Sequence, residues 1–320
     1  MCKEALPWFL AATKKEFINF KHYITTMTPR SHKAGFVSII GKPNVGKSTL
    51  MNTLLGEKLA ITTHKAQTTR HRIAGILNGD NFQIIYADTP GIINPNYALQ
   101  QFMMRTVRGA MSDADVLLWV VDIRDQDVPD DLTQQFARQD APVLLLLNKS
   151  DLLDEEALKK ALKYWATYTL AKVILPISAL QAYNTECALQ HVVECLPEHP
   201  PYYPQDTFTD KPERFFAAEI IREKILRNYQ QEIPYSVEVV IDTFKREKDV
   251  LKISAIIHTE RKSQKGILIG DKGHALKQVG IAARHDLEAF FGKKVYLRQH
   301  VKIVPNWRTK PGLLHQFGYV

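Results

Sequence analysis

Residues 41–48 read Gly-Lys-Pro-Asn-Val-Gly-Lys-Ser and follow the apolar run Phe36-Val37-Ser38-Ile39-Ile40. A strand, a glycine-bearing loop and a helix in that order form a cradle for nucleotide phosphates. Gly41 and Gly46 let the backbone wrap closely around an anion with its N–H groups turned inward. The helix starting near Lys47 points its positive dipole end at the same place. Lys47 would contact the β- and γ-phosphates, and the Ser48 hydroxyl would hold Mg2+. The whole stretch of Gly41, Lys42, Pro43, Asn44, Val45, Gly46, Lys47, Ser48 and Thr49 is read as nucleotide-binding.

Asn148-Lys149-Ser150-Asp151 follows another apolar run, Val143–Leu147. Loops at the carboxyl ends of buried parallel strands hold ligands in open α/β sheets. A carboxylate there accepts two hydrogen bonds from the N1–H and N2–H₂ edge of guanine, which adenine lacks, so Asp151 selects GTP and GDP. Asp88-Thr89-Pro90-Gly91 closes the run Phe82–Ala87. Asp88 would hold Mg2+ through water, and the Gly91 N–H is placed to sense the γ-phosphate. Ser178-Ala179-Leu180, after Val173–Ile177, is a fourth piece that could back the guanine.

These motifs need a mostly parallel sheet, and the rest of the chain asks for a second domain. Residues 1–200 carry 21 Lys+Arg against 20 Asp+Glu; residues 201–320 carry 21 against 14, so the net +8 lies almost wholly in the second part. Such an excess is the electrostatic footprint of a nucleic-acid binder. The break falls at His199-Pro200-Pro201-Tyr202-Tyr203-Pro204, a stretch suited to a semi-rigid linker. Beyond it the periodicity predicts a helix over Glu213–Tyr229, with Ala218, Ile221, Ile225 and Tyr229 on its apolar stripe. Strands follow over Tyr235–Ile241 and Val250–His258, then a short helix over Ser263–Ile269. Gly270-Asp271-Lys272-Gly273, a long helix over His274–Phe291 and a strand over Lys294–Val304 complete the order. This is the layout of a type II KH domain, whose Gly-x-x-Gly loop clamps the backbone of about four single-stranded nucleotides. Gly270 and Gly273 admit phosphates closely, and Lys272 adds charge beside Asp271. Ile267, Leu268 and Ile269 are expected to line a groove for bases, and Arg261, Lys262 and Lys265 to add phosphate contacts.

The four nucleotide motifs resemble, in order and spacing, those of the translation-factor-related GTPases. Lys65-Ala66-Gln67-Thr68-Thr69-Arg70-His71-Arg72 is similar to the first switch segment of the Era family; without GTP it would read as a solvated basic loop. In that family a switch threonine reaches Mg2+ when GTP is bound; Thr69 or Thr68 matches, with Thr69 preferred. Ile92 stands where many GTPases carry a water-positioning glutamine, a departure that the Era family shares. The resemblance implies that Asn44 helps to bind K+, whose charge would act as an arginine finger does. Arg70 and Arg72 are alternative stabilisers that could equally contact RNA or solvent. Lys47, Asn44, Thr69 and Gly91 form the catalytic set. The second part resembles Era proteins as well, at Glu213–Lys224, Pro234-Tyr235-Ser236-Val237, Ile269–Gly273 and Gly318-Tyr319.

The expected fold is therefore an α/β P-loop GTPase domain with a mostly parallel sheet over 33–199, a linker over 200–211, and an α+β type II KH domain over 212–320. The resemblance implies binding to the 3′ end of small-subunit ribosomal RNA and a late role in assembling the small ribosomal subunit; slow GTP hydrolysis by a monomer is expected. Residues 1–32 lie outside the family pattern and are expected to be a disordered tail or an artefact upstream of a start at Met27. Their lysines and aromatics also allow weak peripheral contact with the inner face of the cell membrane. The three cysteines, Cys2, Cys187 and Cys195, lack metal or redox spacing and fit a reducing cytoplasm. One rival, a tandem GTPase or tRNA-modification relative, would need a second phosphate loop or a C-terminal cysteine nucleophile. Another, a non-enzymatic nucleotide sensor, would show no potassium-dependent turnover.

Overall fold

In the computed structural model, residues 31–127, 130–167 and 170–319 are described. The expectations for residues 1–30 lie outside them. The first domain runs β1 (Lys33–Ile40), α1 (Lys47–Leu55), β2 (Ile73–Asn78), β3 (Phe82–Asp88), α2 (Ala98–Ser112), β4 (Val116–Asp122), α3 (Asp130–Ala137), β5 (Val143–Asn148), α4 (Glu155–Trp165), β6 (Val173–Pro176) and α5 (Thr185–Cys195). Its sheet order is β2-β3-β1-β4-β5-β6, with β2 antiparallel to β3 and the other pairings parallel. Helices cover both faces, so strands read as unbroken apolar runs. Strand alternation then divides each run between two cores. Leu144 and Leu146 pack with Leu50, Met51 and Val192 on one side; Val143, Leu145 and Leu147 pack with Met103, Phe136 and Trp165 on the other.

The second domain runs α6 (Glu213–Asn228), α7 (Ile233–Ser236), β7 (Glu238–Arg246), β8 (Val250–Thr259), α8 (Lys262–Ile269), α9 (His274–Phe291), β9 (Lys294–Ile303) and α10 (Pro311–Gln316). Strands β7 and β8 pair antiparallel, while β8 and β9 pair parallel across the α8–α9 crossover. The expected first strand begins late. Pro234-Tyr235-Ser236 forms a helical turn instead, closed by the Ser236 hydroxyl donating to the Ile233 carbonyl at 3.1 Å.

Helix α6 departs from the single apolar stripe. Ala217, Ile221 and Ile225 enter the second domain's core, with Ala218 only at its margin. Glu219, Arg222, Glu223 and Lys224 are buried as well, because this helix lies in the seam between the domains. The linker is likewise no free spacer. It runs along the outer strand β2 and reaches β3: Ile76 N–H donates to the Phe208 carbonyl at 2.9 Å, Thr209 Oγ1 to the Ala74 carbonyl at 2.7 Å, and Gln83 Nε2 of β3 to the Tyr203 carbonyl at 2.8 Å. An exposed strand edge with unpaired backbone groups is thereby covered. At the far end of the chain, Trp307, Leu314 and Tyr319 pack into the α2-side core of the first domain rather than the second domain's own core.

Candidate functional site

The phosphate loop joins β1 to α1 and is shaped by close approaches. A Cβ on Gly41 would lie 2.2 Å from the Val120 carbonyl oxygen, and one on Gly46 (φ +100°) would lie 2.2 Å from Asn148 Nδ2. Lys47 is buried and its ammonium donates to the carbonyls of Gly41 at 3.0 Å and Lys42 at 2.8 Å. Burial lowers its pKa to about 8. The Lys42 side chain turns away from the loop to pair with Asp125 at 3.0 Å and Asp127 at 2.7 Å, so only its backbone serves the cradle.

Three oxygens converge beside Lys47. Ser48 Oγ donates to Asp88 Oδ2 at 2.6 Å and lies 3.0 Å from Thr69 Oγ1, which itself donates to Asp88 Oδ2 at 3.3 Å. The other carboxylate oxygen, Asp88 Oδ1, is buried without a hydrogen-bond partner. Burial raises the Asp88 pKa to about 6, against the pull of Ser48 and Lys47. A hard, oxygen-only set with an orphaned carboxylate oxygen fits a small divalent cation such as Mg2+. The Thr68 hydroxyl belongs elsewhere, donating to the Lys65 carbonyl at 2.6 Å and lying 2.6 Å from Thr63 Oγ1. Asn44 (φ +62°) donates from Nδ2 to the His64 carbonyl at 2.9 Å and so ties the phosphate loop to the first switch. Gly91 sits against Pro43, where a Cβ would lie 2.7 Å from the Pro43 Cα, and Ile92 packs beside the α2-side core. Thr89 Oγ1 donates to the Ile39 carbonyl at 2.7 Å, and Pro90 is buried beside it.

Asn148 links the phosphate and base loops. Its Nδ2 donates to the Val45 carbonyl at 2.7 Å, and its Oδ1 accepts the Ala179 N–H at 2.8 Å. Lys149 pairs with Asp122 at 2.9 Å. Partial burial opposes the Asp122 charge, but Arg124 and Lys149 outweigh it and hold the carboxyl well below the usual range. Asp151 is exposed at the mouth, with Ser178 buried and Leu180 81% exposed. The phosphate and base loops and the first switch meet at a cavity of about 830 Å³ lined by Pro43, Lys47, Thr69, Gly91, Asp151 and Ala179, among others. The Asp122–Arg124 brace has no motif of its own; its only signal is the register that places Asp122 beside Asn148.

The first switch is not a solvated loop. Thr68, Thr69 and Arg70 are buried, Thr68 and Arg70 through contacts with the second domain. Arg70 is no phosphate stabiliser. Its Nη1 donates to the Val237 carbonyl at 2.8 Å and to Glu238 at 2.9 Å, and its Nη2 to the Pro234 carbonyl at 3.3 Å. Arg72 pairs with Asp113 at 3.0 Å on the surface. Arg222 donates to the Thr68 carbonyl and to Glu219 at 2.6 Å. Tyr319 donates to Glu238 at 2.7 Å and stacks on His71 with ring centroids 4.3 Å apart.

In the second domain, Gly270 (φ +71°) and Gly273 (φ +80°) frame an exposed Asp271-Lys272 tip. Ile267 is 53% exposed beside it and Ile269 is partly buried, while Leu268 is wholly buried in the core and cannot face a base. Arg261 and Lys262 are exposed on the same element and Lys265 is half-buried.

Comparison with known proteins matches both domains. A family described as 50S ribosome-binding GTPase matches residues 36–149, and a KH domain matches residues 232–308. GTPase Era of Syntrophus aciditrophicus (strain SB) is 46% identical over 291 residues, covering 90% of this chain and 95% of that protein. GTPase Era of Staphylococcus haemolyticus (strain JCSC1435) is 43% identical, covering 90% and 98%. The chain belongs to the Era GTPase family. It is accordingly a GTPase with an α/β P-loop domain followed by a KH domain. An Aquifex aeolicus Era variant bound to GDP·AlF4− superposes with a TM-score of 0.86 at 38% identity, covering 90% of this chain and 99% of that one. An Era complex with MgGDPNP and nucleotides 1506–1542 of 16S ribosomal RNA matches to the same extent.

Proposed function

We propose that this Era family GTPase binds the 3′ end of small-subunit ribosomal RNA and assists maturation of the small ribosomal subunit, with the bound nucleotide governing RNA engagement. One observation carries the nucleotide control. The first switch is shared: the Thr69 hydroxyl sits within the Ser48–Asp88 cluster while its neighbours Thr68 and Arg70 are held by the second domain. A change in what Thr69 contacts must therefore be felt across the seam. The RNA partner is supported by the basic second domain, its Gly-x-x-Gly tip and the solved Era complex with 16S ribosomal RNA.

Hydrolysis is in-line attack of water on the γ-phosphate, with positioning and electrostatics as the protein's contribution. Lys47 neutralises β- and γ-phosphate oxygens, the Gly91 N–H meets the γ-phosphate, and Asp151 selects guanine. Ser48, Thr69 and Asp88 would hold Mg2+, which when bound neutralises phosphate charge in the transition state. Ile92 cannot orient water, so basal turnover is slow. Asn44 and the nearby first-switch backbone are suited to a monovalent cation, and K+ there would supply the missing charge. We propose that it works in the cytoplasm; the proposed peripheral membrane contact rests on residues 1–30, outside those described.

The test is GTP turnover by the purified chain in potassium or sodium buffer, with and without a short strand copying the 3′ end of small-subunit ribosomal RNA. Turnover should rise with each. GTP binding without turnover under all four conditions would reduce the protein to a nucleotide sensor.

A further inference from the structure

The nucleotide cavity is not built by the first domain alone. Leu226 and Arg227, at the end of α6, and Gln230 just beyond it complete its lining. Their placement is fixed from both sides. Arg227 Nη2 donates to the Thr62 carbonyl, just ahead of the first switch, at 3.1 Å and to Glu223 at 2.8 Å. Glu223 is fully buried and also pairs with Lys58 of the first domain at 3.1 Å. From the other direction, the Lys65 ammonium donates to the carbonyls of Leu226 and Tyr229, the unsatisfied acceptors at a helix end. The switch thus caps the helix, and the helix fixes the switch over the cavity, where Ile61, Thr62, Thr63 and His64 supply lining too.

We propose that the end of KH-domain helix α6 is a working wall of the guanine-nucleotide site, with Arg227 as a positioning residue that holds the switch closed over bound nucleotide through Thr62. This rests on the reading of the cavity as the GTP and GDP site. It makes nucleotide retention a property of the docked pair of domains. Loss of the Arg227 contact frees Thr62 and opens that side of the cavity, so nucleotide leaves faster while the Lys47, Ser48 and Asp151 contacts stay in place. The effect falls on binding rather than on the chemical step, since Arg227 is placed through Thr62 and not against the reacting atoms.

The experiment measures release of a fluorescent N-methylanthraniloyl-GDP from the full chain, with the KM and kcat for GTP. Arg227→Ala is compared with wild type, with Arg227→Lys, and with Arg246→Ala. Arg246 pairs with Glu213 at the opposite end of α6, so its removal controls for the loss of a surface ion pair on the same helix. Arg227→Ala should speed release and raise KM about five-fold or more, the lower end of ordinary coupling between sites, with kcat nearly unchanged. Arg227→Lys should recover part of the loss, and Arg246→Ala should match wild type. Release from Arg227→Ala indistinguishable from wild type, or an equal change in Arg246→Ala, would overturn the inference while leaving the site reading intact. If wild type itself fails to bind the GDP probe, the site reading fails and takes the inference with it.

Discussion

Asp151 and Asn148 sit in the same tetrapeptide and do different work. Asn148 is spent within the protein, tying Val45 to Ala179, whereas Asp151 faces the cavity mouth with its carboxylate available to a ligand. Asp151→Asn replaces two acceptors with one acceptor and one donor, so guanine loses a charge-assisted bond worth about 1.5–3 kcal/mol. GTP affinity should fall by at least tenfold and xanthosine triphosphate should be favoured; competition titrations read both. His71 gives a pH prediction. Burial lowers its pKa from 6.5 to about 4. The folded state therefore holds it neutral where the unfolded chain would protonate it. Its contribution is present above pH 6.5 and is lost as pH falls toward 4. From pH 7 to pH 5 this one group should cost about 2 kcal/mol of stability. His71→Phe keeps an aromatic ring against Tyr319 without the titration, so its denaturation midpoint should fall less with acid than that of wild type.

At the scale of elements, strands and helices that present their pattern to one core were legible, and those in the seam were not. The run of one valine and four leucines in β5 and the full extent of α9 follow from period and flanking residues. The phosphate loop and Asn-Lys-Ser-Asp were legible because each is local. Arg70 was opaque because its partners lie 167 and 168 residues away, and no periodicity reports such a pairing. The uniformly apolar Ile267-Leu268-Ile269 does not show which of its residues faces the groove, because a helix turns consecutive residues to different faces and Leu268 is the one it buries. The Arg70–Glu238 pair also sets an energetic expectation. Arg70→Ala leaves the Glu238 carboxylate buried without its guanidinium, a loss of about 3–5 kcal/mol by analogy with other broken buried pairs. Urea denaturation should show it, and Arg70→Ala combined with Glu238→Gln should recover part of the loss. On the RNA side, Gly273 has open space where a side chain would go but a φ of +80°, so Gly273→Asp strains the backbone and adds negative charge at the phosphate clamp. RNA affinity should drop at least tenfold, with basal GTP hydrolysis unchanged.

For the whole molecule, the two domains share a switch, a strapped linker and a C-terminal segment. The linker lies along β2, and Trp307 and Tyr319 return from the KH side to the first domain's core. Neither domain's surface at the seam is complete alone, and that shared seam is the structural basis on which coupling between the two sites is proposed. Affinity for a short strand copying the 3′ end of small-subunit ribosomal RNA, measured on the full chain with a non-hydrolysable GTP analogue, with GDP and without nucleotide, tests that claim most directly. The account predicts tighter binding with the GTP analogue than with GDP, by about five-fold or more. Equal affinity in all three states would contradict it, leaving two functional sites on one chain without coupling.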